Sequence, residues 1–243
     1  MVIPAGQVKL TRTLQQWWQQ NATQHGPLKA LRAFCSELWG FIRESTPEQR
    51  RRRYGDVEFD WDYRVDTTSA TVGWRERLLG VFHSPYQPTE PALFREMIRT
   101  LAIDFANFTF IDLGSGKGRT LLMASDYPFR RIVGVELLTE LHRVAEKNLL
   151  QYKSERQKCF RLEAFADDAR RFVFPQEPTV LYLFNPLPVE GLAQVIANLE
   201  LSLHMNPRKI FVLYHNPLHE ELLARCRCLK KVGGTHQFVI YAS

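Results

Sequence analysis

No apolar run in this 243-residue chain approaches the ~20 residues that a membrane-crossing helix needs, so no membrane association is expected. The opening Met1-Val2-Ile3-Pro4-Ala5-Gly6 lacks a charged stretch followed by an apolar one, which argues against a secretory leader. Cysteine is scarce and scattered, at Cys35, Cys159, Cys226 and Cys228. Free thiols in a reducing cytosol are the expectation, and with them a cytoplasmic location. Cys226-x-Cys228 has no second ligand pair beside it in sequence, which argues against zinc, and no metal is expected. Neither internal repeats nor low-complexity segments occur. The length allows one α/β domain plus an appendage.

Acid is under-represented at one end. Residues 1–53 hold nine Lys/Arg and three Asp/Glu, a surplus equal to the +6 of the whole chain. Four of those cations are Arg50, Arg51, Arg52 and Arg53. Such a run attracts nucleic acid or an acidic surface, or is a solvated helix end; both readings stay open. Residues 8–53 read as helices. Leu10, Leu14, Trp17 and Trp18 recur at helical spacing, as do Leu28, Leu31, Phe34, Leu38, Trp39 and Phe41 after Gly26-Pro27. Thr46-Pro47 suits the start of a third, short helix. In residues 54–76, Phe59, Trp61 and Tyr63 alternate with acids. That predicts an edge strand or a loop, either receiving a cationic amine or neutralising the arginine run.

What the chain does have is organised around Phe110-Ile111-Asp112-Leu113-Gly114-Ser115-Gly116-Lys117-Gly118-Arg119. Phe108 to Leu113 are apolar and β-prone with one acid. Three glycines alternate, and Thr120 to Ala124 reads as a helix. Strand, Gly-rich turn and helix make the layout of a nucleotide or nucleoside site at the carboxyl end of a parallel strand. A dinucleotide fingerprint wants glycine where Arg119 stands, which disfavours a nicotinamide dehydrogenase.

Further strands follow at Arg131 to Glu136, Phe160 to Ala164, Thr179 to Phe184 and Ile210 to Tyr214. Helices alternate with them: one with Thr139 as N-cap, one over Leu192 to Leu203, and one over Leu218 to Ala224 after Asn216-Pro217. Before the Gly-rich turn, the proline-rich His83 to Pro91 is an extended loop leading into a helix that carries Leu93, Phe94, Met97, Ile98 and Leu101. Gly233-Gly234 separates Cys228–Val232 from Phe238–Tyr241, which fits an antiparallel hairpin. The fold class is α/β: a Rossmann-like seven-stranded sheet, mostly parallel with a C-terminal antiparallel hairpin, flanked by helices and preceded by a helical extension. The expected division is 1–79 and 80–243. Glu136, at the tip of the second strand, is placed to accept both hydroxyls of a ribose.

Acid-x-G-x-G-x-G over Asp112 to Gly118 resembles motif I of class I S-adenosylmethionine (SAM) dependent methyltransferases. Tyr86-Gln87-Pro88-Thr89, Asp112 to Arg119, Val135-Glu136 and Phe184-Asn185-Pro186 together resemble a group of largely uncharacterised bacterial methyltransferases and, more distantly, the seven-strand protein lysine methyltransferases. The resemblance covers residues 80–243. It implies SAM as cofactor, with Asp112 on its ammonium, Glu136 on its ribose, and Asp168 and Ala169 on its adenine. Gly114, Ser115, Gly116 and Gly118 would give backbone approach. Tyr86, Gln87 and Thr89 would close over the methionine end. Asn185-Pro186 resembles motif IV of amino-group methyltransferases, which makes both residues catalytic candidates; Leu187 and Pro188 stand where that motif has a proline and an aromatic brace. The implied acceptor is a protein side-chain amine or a small molecule. A nucleic-acid acceptor and a non-catalytic SAM-binding protein are the alternatives. His83 and His215 are candidates for taking the acceptor proton.

Overall fold

The computed structural model describes residues 15, 18, 19, 22, 23, 26–44, 57–68, 87–185 and 187–243. Trp17, the Thr46-Pro47 helix start, Arg50 to Arg53, His83, Tyr86, Pro186 and the expected boundary near residue 80 lie outside the described residues. The helical elements are α1 (Pro27–Glu44), α2 (Val57–Tyr63), α3 (Pro91–Arg99), α4 (Arg119–Ala124), α5 (Thr139–Gln151), α6 (Val189–Met205) and α7 (Glu220–Arg225). The strands are β1 (Thr109–Leu113), β2 (Arg131–Glu136), β3 (Leu162–Ala166), β4 (Thr179–Phe184), β5 (Ile210–His215), β6 (Lys230–Gly234) and β7 (Phe238–Ala242).

The seven strands form one sheet in the order β3-β2-β1-β4-β5-β7-β6. β1 to β5 are parallel, while β7 runs antiparallel to both β5 and β6. The central strands are covered on both faces, which is why they read as continuous apolar runs rather than alternating ones. Successive residues feed opposite layers. Ile111, Leu113, Leu181, Val212 and Tyr214 pack with Leu192, Val195 and Leu199 of α6. Phe110, Ile132, Val180, Tyr182 and Leu213 pack with Phe94, Met97 and Ile98 of α3 and Leu121 of α4. Among the described residues, no helix is long and apolar enough to cross a membrane.

Five local expectations are corrected. The aromatic-acidic stretch is a helix, α2, because Phe59 and Tyr63 share one face at i, i+4: their rings lie 4.8 Å apart and pack with Val65, Leu122 and Tyr152, while Trp61 points outward. β3 begins two residues later than expected, because the Lys158 and Cys159 N–H groups both donate to the Ser125 carbonyl and hold the chain off the sheet. Thr139 opens α5 but does not cap it; the Glu136 carboxylate takes the Leu138 N–H at 2.8 Å instead. Gly233 and Gly234 belong to β6 itself, and α7 begins at Glu220.

Gly134, inside β2, shows how tightly the Gly-rich turn is seated. A Cβ there would lie 2.5 Å from Leu121 Cδ1 and 2.7 Å from Ser115 Oγ. Leu121 is fully buried and cannot swing away. Gly134→Ala is therefore expected to destabilise the fold by about 1–3 kcal/mol, as overpacked cores do. Denaturant unfolding measures this, and a variant as stable as wild type would show that the turn yields without cost.

Candidate cofactor pocket

An open cleft of about 900 Å³, counting space continuous with solvent, lies at the carboxyl ends of β1, β2 and β4. Its place is where doubly wound sheets bind ligands. Its floor is Asp112 with Gly114, Ser115 and Gly116. Glu136, Leu137 and Leu138 line one side, and Asp167, Asp168 and Ala169 continue it. Gln87 and Thr89 approach from the loop before α3, and Tyr182, Phe184 and Leu187 from β4 and beyond. Nine of the residues expected at a cofactor site thus meet in one cavity. Gly118 does not line it. It caps α4 with φ +84°, and a Cβ would sit 3.3 Å from Ala145 Cβ, so this glycine serves the turn and the packing of α5.

Two buried carboxyls define the electrostatics. Asp112 is 2% exposed and accepts from the Thr120 hydroxyl. Burial pushes its pKa up to about 7; the Thr120 bond offsets part of this, and neighbouring Glu136 adds to it. Glu136 accepts from Gly116 N and Leu138 N, each at 2.8 Å. Burial raises its pKa too, against the lowering by the N–H groups of Leu138, Gly116 and Leu137. Among the described residues, neither carboxyl has a cationic side chain paired with it. Buried acids without a counter-cation are costly, and a site so built favours a ligand that brings positive charge.

Asp168 is differently employed. It accepts from the Arg170 backbone N–H at 3.0 Å and from the Arg170 guanidinium Nε at 2.9 Å. Burial pushes its pKa up, but the Arg170 contacts outweigh that and hold the carboxyl below the usual range. Asp167, not singled out by pattern, lines the cavity beside it.

Beneath Thr89 runs a buried polar chain that sequence reasoning missed. The Thr89 hydroxyl lies 2.7 Å from the Tyr182 hydroxyl, which lies 2.8 Å from His215 Nδ1. His215 stacks on Phe184, its register partner across β4 and β5, at 3.8 Å. Burial lowers the His215 pKa to about 4, so the ring is neutral at physiological pH. His215 does not line the cavity.

Asn185 sits just past β4 with φ +42°, a left-handed conformation that asparagine tolerates better than most residues. Its Nδ2 donates to the Asn216 carbonyl at 2.7 Å, and its Oδ1 accepts from the Tyr214 hydroxyl at 2.8 Å. Phe184 and Leu187 on either side line the cavity, and Asn185 does not. One lone pair of Oδ1 is left to accept from another donor.

The Gly-rich turn is also held from behind. Lys117, 1% exposed, donates through Nζ to Asp66 Oδ1 at 2.7 Å and to the Thr68 carbonyl at 2.9 Å. Arg119, 2% exposed, donates to Thr67 Oγ1 at 2.6 Å, lies 3.4 Å from Asp60 Oδ1 and stacks over the Phe59 ring. Asn148 of α5 accepts from Asp66 N and donates to the carbonyls of Asp66 and Lys117. Residues 57–68 therefore pack against the Gly-rich turn and α5. The one sequence signal was the pair of cations on either side of the third glycine, Gly118.

The family model described as "Histone methylation protein DOT1" matches residues 83–177, the span from the proline-rich loop to the approach of β4. No curated protein matches the chain. Among solved structures, a predicted N6-adenine-specific DNA methylase from Listeria monocytogenes is 14% identical over 64% of this chain and 51% of that one, with TM-score 0.47. A Plasmodium falciparum dimethyladenosine transferase is 15% identical over 65% and 62%, also with TM-score 0.47. An RNA methyltransferase from Salinibacter ruber, in complex with S-adenosyl-L-homocysteine, is 19% identical over 64% and 92%, with TM-score 0.44. The chain spans about half the length of the first of these and under two thirds of the second. The family-model match covers under half of the chain, and the seven-strand order with β7 alone running antiparallel is the Rossmann-like sheet expected from the sequence.

Proposed function

We propose that this chain, a class I methyltransferase in fold, transfers a methyl group from SAM to a side-chain amine of a protein, a small-molecule amine being the alternative. The observation that carries the reading is the pair of buried carboxyls, Asp112 and Glu136, converging on one cavity without a cationic partner among the described residues. One positive and one hydroxyl-bearing ligand moiety would satisfy them. The proposed roles are Asp112 on the cofactor ammonium, Glu136 on the ribose hydroxyls, and Ala169 with Asp167 or Asp168 at the adenine. The matching family, described as a histone methylation protein, supports a protein acceptor over a nucleic acid.

Bound SAM supplies a methyl already activated on a sulfonium, so the chain's own part is position and dryness. Orientation alone is worth about 7–11 kcal/mol of barrier in well-aligned reactions. Phe184, Leu187 and Tyr182 line the β4 side of the cavity and would limit water there once cofactor and acceptor fill it. The Thr89–Tyr182–His215 chain fixes the loop wall in one protonation state. Asn185, its amide anchored by Tyr214 and Asn216, offers its remaining carbonyl lone pair to the acceptor N–H at the strand tip. An attacking amine must be neutral, and a desolvated cavity favours that form.

The test is transfer of a labelled methyl from SAM into a host lysate separated into protein, nucleic acid and small molecules. Label is expected in protein. Asn185→Ala is expected to bind SAM like wild type and lose transfer at least tenfold, as loss of an orienting group does. Label in nucleic acid would replace the acceptor class, and transfer undiminished in Asn185→Ala would remove that residue from the reaction. SAM binding with no label in any fraction would support a non-catalytic SAM-binding protein.

A further inference from the structure

Away from the cofactor cleft, Glu200 and His204 stand one turn apart on the same face of α6, and Cys228, in the turn before β6, reaches toward both. Cys228 Sγ lies 3.7 Å from His204 Nε2 and 3.9 Å from Glu200 Oε1, and the three ligand atoms all lie within 4.8 Å of one another. A tetrahedral zinc with bonds of about 2.3 Å to sulfur and about 2.0–2.2 Å to nitrogen or oxygen separates its sulfur ligand from the other two by about 3.5–3.7 Å. The sulfur already stands at almost that separation from each of the other two ligand atoms. We infer that Glu200, His204 and Cys228 form a zinc site that clips α6 to the turn entering the edge strand β6, with water in the fourth position.

The residue types agree with this. Thiolate, imidazole and carboxylate on a tetrahedral frame select zinc over hard cations such as magnesium or calcium. Two of the ligands come from a helix at i, i+4, the spacing that puts side chains one above the other. The third is set by a tight turn in which Leu229 N donates to the Cys226 carbonyl and Arg227 N donates to Glu200 Oε1. A cysteine thiol is mostly protonated at neutral pH, and zinc takes it as the thiolate. Binding therefore exchanges one proton for one ion: the S–H bond breaks, the S–Zn bond forms, and the proton leaves to solvent. No electron transfer is involved. Cys226, whose side chain hydrogen-bonds that of Cys228, stays packed in the core. The second ligand pair that Cys226-x-Cys228 lacks in sequence is supplied from α6, across more than twenty intervening residues.

The test uses the full chain, stripped with chelator and titrated with Zn²⁺ or Co²⁺. One ion per chain is expected to survive passage into metal-free buffer. Co²⁺ is expected to give the d–d bands of a tetrahedral site and a thiolate-to-cobalt charge-transfer band, and Zn²⁺ to raise the melting temperature. His204→Gln and Cys228→Ser change partly exposed side chains, so both are expected to melt like the metal-free wild type while losing the band and the zinc-dependent rise. Cys226→Ser is expected to keep both. The inference is overturned if wild type shows no thiolate–cobalt band, if the band survives Cys228→Ser, or if Cys226→Ser abolishes it. These readouts do not involve SAM or methyl transfer, so their outcome is independent of the proposed activity.

Discussion

Asp112→Asn is expected to make the ligand-free protein more stable at neutral pH and to make it a poor SAM binder. The carboxyl is held at about 7 by burial, against 3.8 when exposed. Between those values the folded protein holds a proton that the unfolded chain has lost, so this group's contribution to stability falls as pH rises through the window and is flat above about 7. The full difference corresponds to about 4 kcal/mol, at about 1.4 kcal/mol per tenfold change. Asparagine is neutral throughout and still accepts from Thr120. The variant should gain up to that amount at pH 8 and almost nothing at pH 4. Its affinity for SAM should fall about 10- to 100-fold, the worth of a charged hydrogen bond of about 1.5–3 kcal/mol. Denaturant unfolding at both pH values, with calorimetric titration of SAM, measures the pair of effects. A variant no more stable than wild type at pH 8 would mean that burial does not raise the Asp112 pKa. Undiminished SAM affinity would move the ammonium site elsewhere. In wild type the same linkage requires SAM affinity to weaken as pH drops below about 7, because the carboxyl must ionise to meet an ammonium.

What was legible in sequence was what the chain encodes locally. The Asp112 to Arg119 turn, the acid closing β2 and the acid-rich stretch after β3 are short, contiguous patterns, and they meet in one cavity. The sheet was legible because buried parallel strands are runs of Val, Ile, Leu and aromatic residues bounded by helices. What escaped depended on partners far away in the chain. Tyr182 reads as a strand residue and His215 as a candidate proton acceptor, and only the pairing of β4 with β5 puts one hydroxyl between Thr89 and that imidazole. Nothing local marks Lys117 as a buried cation, because its partners Asp66 and Thr68 lie far upstream in the chain. The alternation of Phe59, Trp61 and Tyr63 with acids imitated a strand, although Phe59 and Tyr63 also satisfy helical spacing, and burial against Leu122 and Tyr152 decided between the two.

Asp60→Asn is expected to cost about 3–5 kcal/mol, the usual penalty for removing one partner of a buried charged network. The Asp60 carboxylate accepts from the backbone N–H of Thr67 at 2.8 Å and of Thr68 at 2.9 Å, bonds the Thr67 hydroxyl and faces the Arg119 guanidinium. An amide of the same shape keeps one oxygen but turns two N–H groups toward these donors and leaves Arg119 without that negative charge nearby. The loss should not stop at stability. Thr67 and Thr68 are also the residues that receive Arg119 and Lys117, the two cations that hold the Gly-rich turn from behind. Freed from them, the turn must be ordered again each time a ligand binds, and that ordering opposes binding. Asp60 does not line the cavity, so a fall in SAM affinity in this variant would be transmitted through the turn. Saturating SAM should then restore part of the lost stability, as any ligand specific to the folded state does. Chemical denaturation with and without SAM measures both. A cost below about 1 kcal/mol would mean that residues 57–68 rest on the turn without supporting it. A full cost with unchanged SAM affinity would mean that they stabilise the domain but do not shape its site.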